Sequence, residues 1–320
     1  MILKPLIILS LVYNLVGFSL SSGKIDQKIA SFYSNENVSS AKAGNMSQQI
    51  PDILQLPEIR SGAPEAYINT REYILVDLES GEILNQKDPT KRVPIASTTK
   101  IMSAIVALEN YSLNEVVTIP APATTQAGAD ANLRVGEKIS VLELLYCMLI
   151  KSGNDSAYAL ASYMDKSEKR DIDTFVKKMN QKAEELGMED TNYLDPAGLD
   201  ASGYSSANDL AIITRYALKN STFRKIVATT DYVATNIDKT IYHVLKNSNR
   251  LVDEYQYPGA IGVKTGFMPE ASHCLVGAAE RNGHGLIVVI LGTYQDTASA
   301  SADEARKLLD WGFDNVIWKD

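Results

Sequence analysis

"GAIGVKTGFMPEASHCLVGAAERNGHGLIVVILGTY", residues 259–294, decides the fold. It contains three apolar runs of strand length, over 259–266, 273–281 and 285–294. Asn282-Gly283 separates the last two, and both residue types accept the positive φ of a two-residue hairpin turn. Working outward, "EYILVDLESGEILNQKD" (72–88) reads as a second hairpin with its turn at Ser80-Gly81. Between the two strand regions the apolar spacing is helical. Helices are predicted from Thr98 to Leu108, over 141–150 ("VLELLYCMLI", stopping at Ser152-Gly153), over 155–164, over 173–188 with Gly187 near the C-cap, and over 207–220. A last helix, "ASADEARKLLDWGF", covers 300–313. Strands at both ends with helices between them predict an α+β domain. Its terminal strands pair in one antiparallel sheet flanked by helices, and an all-helical insertion subdomain stands to the side. A cleft between sheet and insertion is the natural place for a site.

The chain has 320 residues, 45% hydrophobic and 22% charged, which is ordinary globular composition with room for a large core. A net charge of −8 and a pI near 5.1 exclude nucleic acid as a partner. At the N-terminus Lys4 precedes an apolar run, "PLIILSLVYNLVGF" (5–18), followed by Ser19, Ser21, Ser22 and Gly23. One positive charge, an apolar core and a small-residue exit fit a secretory signal peptide over 1–21. The run is short for a spanning helix and Asn14 interrupts it. A retained N-terminal anchor is the alternative, with a buried helix third. Either of the first two exports the protein. Residues 22–60, rich in Ser, Asn, Gln and Lys, read as a flexible linker, and 61–320 as the folded domain. The two cysteines, Cys147 and Cys274, each lie in an apolar segment and read as buried free thiols rather than a disulfide. His243, His273 and His284 lack ligand spacing, so no metal or cofactor is expected.

Ser-x-x-Lys occurs three times, at Ser21-Lys24, Ser39-Lys42 and Ser97-Lys100. One or two matches are expected by chance in roughly 320 residues. The first two fall in the linker, which cannot hold two side chains in a reactive geometry. Ser97 and Lys100 sit at a helix start. Ser152-Gly153-Asn154 follows in an interhelical loop, and Lys264-Thr265-Gly266 at the end of a strand. Ser-x-Asn is weak alone, since Ser112-Leu113-Asn114 and Ser206-Ala207-Asn208 match too, whereas Lys-Thr-Gly occurs once.

Three such elements in this order resemble the signature of penicillin-binding proteins and class A β-lactamases. Longer passages carry the resemblance further: "VPIASTTKIMSAIVALE", "RVGEKISVLELLYCMLIKSGNDSAYALA", "DPAGLDASGYSSANDLA" and "GVKTGFMPEASHCLVGAAER". They are similar to low-molecular-weight penicillin-binding proteins, the serine D-alanyl-D-alanine carboxypeptidases, over roughly residues 65–315. The resemblance implies a β-lactamase/transpeptidase-like fold. It also implies removal of the terminal D-Ala from peptidoglycan stem peptides through a serine ester, outside the cytoplasm, with β-lactams as covalent inhibitors. Ser97 would be the nucleophile, Lys100 its base, Ser152 a proton carrier and Asn154 an anchor for a substrate amide. Lys264, Thr265 and Gly266 would bind around the terminal carboxylate, helped by Arg250, which stands where the family has an arginine. The backbone N–H groups of Ser97 and Phe267 would form the oxyanion hole.

The chemistry has independent sense. A serine hydroxyl needs a base to take its proton, and a lysine three residues on lies one helical turn away. The lysine must be neutral to act, which burial and a second cation, Lys264, would both promote. The chain departs from many family members in two ways. It stops after the closing helix, where they add a second domain and an amphipathic helix, so membrane attachment is expected only through the N-terminus. It also carries Phe267 where some members have His. Competing readings are an endopeptidase or transpeptidase on the same site, a class A-like β-lactamase, and a non-enzymatic penicillin sensor. Between Asn154 and Lys264 there is no loop Glu-x-x-x-Asn of the kind that drives β-lactamase deacylation.

Overall fold

A computed structural model of the chain describes residues 56–165 and 171–319. The expected signal peptide and nearly all of the expected linker lie outside the described residues. Within the described part the order is β1 (Glu58–Ile59), β2 (Thr70–Asp77), β3 (Ile83–Lys87), α1 (Lys100–Asn110), β4 (Val116–Thr118), β5 (Lys138–Ser140), α2 (Val141–Ile150), α3 (Asn154–Met164), α4 (Asp173–Glu185), α5 (Ala207–Ala217) and α6 (Ser221–Val227). The chain then forms β6 (Asp231–Thr235), β7 (Tyr242–Lys246), β8 (Ala260–Met268), β9 (Ser272–Arg281), β10 (His284–Thr293), α7 (Ala300–Asn315) and β11 (Val316–Ile317).

The main sheet has the order β3-β2-β10-β9-β8, antiparallel throughout. The N-terminal hairpin thus closes onto the last long strand, with Val76 opposite Ile287 and Ile74 opposite Val289. Asn282 and Gly283 have φ of +53° and +85°, the geometry of the tight turn that joins β9 to β10. The near-unbroken apolar run of β10 follows from burial on both faces. Ile287, Val289 and Leu291 face the core shared with the helical block, while Leu286, Val288 and Ile290 pack on Ala305, Leu308 and Leu309 of α7. α1 packs among α2, α3, α4 and α5 with Ile101, Met102, Ile105 and Val106 buried, which holds the first turn of this helix in place. α2 is buried along most of its length and is capped by Ser140, whose hydroxyl accepts the Glu143 N–H at 3.3 Å.

Some elements depart from expectation. Residues 58 and 59, within the expected linker, pair with β11, and Glu58 meets Lys319 at 2.6 Å. α6 and the β6–β7 hairpin stood out in no pattern. In the hairpin the exposed positions Val233 and Val244 are as apolar as the buried Ala234 and Leu245, which hides the alternation. Cys147 and Cys274 are buried and unbonded. Among the described residues no helix is long and apolar enough to cross a membrane.

Candidate active site

Ser97 lies on a single 3-10 turn, Ala96–Thr99, that leads directly into α1. Two glycines hold this turn. Gly266 of β8 passes so close that a Cβ there would stand 2.9 Å from the Ile95 carbonyl oxygen and 3.1 Å from the Ser97 nitrogen. Gly198, at φ +75°, packs on the other side, where a Cβ would fall 2.0 Å from the Ala96 carbonyl oxygen. Only residues without a side chain let strand and loop grip the turn from both sides.

Lys100 begins α1 and is fully buried. Its Nζ lies 2.8 Å from Ser97 Oγ, 2.7 Å from Asn154 Oδ1 and 2.9 Å from the Ala197 carbonyl oxygen. Asn154 Nδ2 donates to the Ala127 carbonyl at 2.6 Å, which fixes Oδ1 toward Lys100. Asn154 and Ala197 therefore both present pure acceptors. A neutral amine has two N–H groups and one lone pair. With both N–H groups spent on Asn154 and Ala197, the lone pair is left facing the Ser97 hydroxyl. Burial lowers the Lys100 pKa to about 7, with the carboxylates of Asp195 and Asp155 opposing that shift. Lys264, buried nearby, is pushed well below the ordinary lysine value by burial and then by Lys100.

Ser152 sits between α2 and α3 in the left-handed region, at φ +65°. Its Oγ accepts a hydrogen bond from the buried Lys264 Nζ at 2.9 Å, and Lys264 also donates to the Thr265 carbonyl at 2.9 Å. Thr265 Oγ1 is 2.9 Å from Ser248 Oγ. Arg250 lies on the rim, donating to the Ala298 carbonyl and paired with Glu254. Phe267 exposes its ring, which rests on His273 at a centroid separation of 4.4 Å. Ser97, Ser152, Asn154, Arg250, Thr265, Gly266 and Phe267 all line one cleft of about 530 Å³, with Lys100 and Lys264 buried behind it. The structure brings together every residue the sequence singled out.

Several contributors had gone unnoticed. Asp195, in "DPAGLD", accepts the N–H groups of Ala197, Gly198, Leu199 and Asp200 at 2.7–2.8 Å. It folds the loop that offers the Ala197 carbonyl to Lys100, and Asp-Pro followed by Gly was a turn signal that could have flagged it. Asp155 accepts the N–H groups of Ala131 and Leu133 and so shapes the segment carrying the Ala127 carbonyl. Ser248 had no sequence signal beyond standing near Arg250.

An antiparallel sheet, a helical insertion and two serines each bonded to a buried lysine define a serine acyl-transfer enzyme of the penicillin-binding class. The sequence profile of the D-alanyl-D-alanine carboxypeptidase family of peptidases matches residues 59–295, and the chain belongs to that family. The chain is similar to the D-alanyl-D-alanine carboxypeptidase DacF of Bacillus subtilis, 36% identical over 247 residues that cover 75% of this chain and 61% of DacF. A Streptomyces D-alanyl-D-alanine carboxypeptidase is 37% identical over 247 residues, covering 73% of this chain and 84% of the relative. The crystal structure of a Streptomyces DD-transpeptidase superposes with a TM-score of 0.73 at 36% identity, covering 78% of this chain and 99% of that one.

Proposed function

We propose that this protein removes the terminal D-Ala from peptidoglycan stem peptides ending in D-Ala-D-Ala, on the outer side of the cytoplasmic membrane. The observation that carries this reading is Lys100 Nζ, 2.8 Å from Ser97 Oγ and lowered to about 7 by burial. Neutral Lys100 takes the Ser97 proton as Oγ attacks the carbonyl carbon of the penultimate D-Ala. The backbone N–H groups of Ser97 and Phe267 receive the developing oxyanion, and the nearness of Gly266 to the Ser97 nitrogen supports that pairing. Ser152, bonded to Lys264, hands a proton to the leaving nitrogen as the C–N bond breaks and D-alanine departs. Asn154 orients the peptide amide. Lys264, Thr265 and Arg250 attract the terminal carboxylate, and the edge strand β8 offers backbone to an extended substrate. Water then splits the Ser97 ester and returns the serine hydroxyl. β-Lactams, whose ring carbonyl stands in for the scissile amide, acylate the same serine.

A second reading has the same first half and a different acceptor. The similar Streptomyces structure is that of a DD-transpeptidase, in whose named reaction an amine takes the place of water. Incubating the purified protein with a D-Ala-D-Ala stem peptide and an added amine acceptor separates the two. Free D-alanine with shortened peptide supports the carboxypeptidase. Cross-linked product in excess of shortened peptide overturns it.

A further inference from the structure

We infer that His243 is a positioning residue for the acylation site, holding the cleft-wall segment 127–133 in register with Asn154. The inference rests on the serine acylation reading given above. His243, on β7, and Glu137, just before β5, are both buried. His243 Nδ1 is 2.9 Å from the Ala131 carbonyl oxygen and Nε2 is 2.8 Å from Glu137 Oε1. A carbonyl oxygen only accepts, so Nδ1 carries hydrogen and donates to Ala131. The other Glu137 oxygen accepts the Arg134 N–H at 3.0 Å. One proton therefore lies between Nε2 and Glu137 Oε1, and whichever group holds it, the ring orientation is fixed.

Segment 127–133 forms one wall of the cleft through Gly128 and Ala129. On its inner side it is tied to the start of α3. The Asn154 N–H donates to the Ala129 carbonyl at 2.8 Å, Asn154 Nδ2 to the Ala127 carbonyl, and the Asp155 carboxylate accepts the Ala131 N–H. His243 is the anchor on the opposite side. Removing its Nδ1–H leaves the buried Ala131 carbonyl without that donor and frees the segment to move. The Ala127 carbonyl moves with it, and the Asn154 amide loses the partner that turns Oδ1 toward Lys100. Two residues beyond the end of β7, Ser248 bonds Thr265 in the cleft lining. His243 thus ties the 127–133 wall to the β6–β7 hairpin. It touches neither substrate nor reacting atoms, and it acts through Asn154.

The test compares His243→Asn with His243→Gln in the full chain. An Asn amide nitrogen falls near the place of Nδ1 and keeps the bond to Ala131. A Gln amide reaches toward Glu137 and abandons Ala131. The readouts are thermal unfolding, the acylation rate with a fluorescent penicillin, and kcat and KM for D-alanine release from a D-Ala-D-Ala stem peptide. The expected result is a fall of roughly ten- to hundredfold in acylation rate and kcat for His243→Gln, the size a displaced reactive geometry produces. His243→Asn should recover most of that rate at a similar unfolding temperature. Equal acylation in both variants overturns the inference, whether both match the wild type or both fall together with stability. Penicillin acylation without D-alanine release in the wild type refutes the carboxypeptidase reading instead, and the acylation rates still decide His243.

Discussion

Lowering the pH should switch this enzyme off through Lys100 before it disturbs the fold. At the ordinary lysine pKa of 10.5, only about one molecule in three thousand would hold a neutral amine at pH 7. Burial brings the value to about 7, so about half do, a gain on the order of a thousandfold in competent base. The first unit below 7 then removes roughly four-fifths of the neutral form, and each further unit about nine-tenths of what remains. Acylation should accordingly drop roughly fivefold from pH 7 to 6, about ninefold more to pH 5, and level off above pH 8. The assay is the second-order rate of labelling by a fluorescent penicillin from pH 5 to 9, stopped by denaturation and read in a gel. A rate that stays flat down to pH 5 would refute Lys100 as the base. A rate still climbing tenfold per unit through pH 9 would show a lysine of ordinary basicity and refute the role of burial. The same shift has a consequence for stability. Between about 7 and 10.5 the unfolded chain holds a proton on Lys100 that the folded chain has lost. The unfolded state binds more protons there, so this group makes the fold more stable as pH rises through that window.

Ser97→Ala should abolish both penicillin labelling and D-alanine release while leaving the unfolding temperature nearly unchanged; persistent labelling would refute Ser97 as the nucleophile. Asp195→Ala removes the acceptor of four backbone N–H groups, and should cost on the order of 3 kcal/mol in denaturant unfolding as well as most of the acylation rate. An unchanged acylation rate would show that the Ala197 carbonyl does not direct Lys100. Gly266→Ala places a methyl group 2.9 Å from the Ile95 carbonyl oxygen and 3.1 Å from the Ser97 nitrogen, so the nucleophile turn must shift, and both the acylation rate, by at least about tenfold, and the unfolding temperature should fall. Retained acylation in that variant would free the nucleophile turn from dependence on β8.

By itself the sequence determined the sheet and most of the helices, because these are local matters of period and turn chemistry. The apolar run of β10, the Asn282-Gly283 turn and the amphipathic spacing of α4 can each be read without knowing what packs on them. It also supplied the residues proposed here to react, since Ser97, Lys100, Ser152, Asn154 and Lys264 sit in short motifs whose order survives in one dimension. The tertiary structure decided how those residues are tuned. A lysine's protonation depends on how little water reaches it and on which acceptors claim its N–H groups, and both are set by segments far away in the chain. The Ala197 carbonyl is 97 residues from Lys100, and Asn154 is 54 residues away. Asp195, Asp155 and His243 look in the sequence like ordinary residues of a loop, a helix start and an unmarked stretch. Each matters because it holds a backbone segment against the site, and a hydrogen bond across such a distance leaves no periodic trace in the chain that makes it.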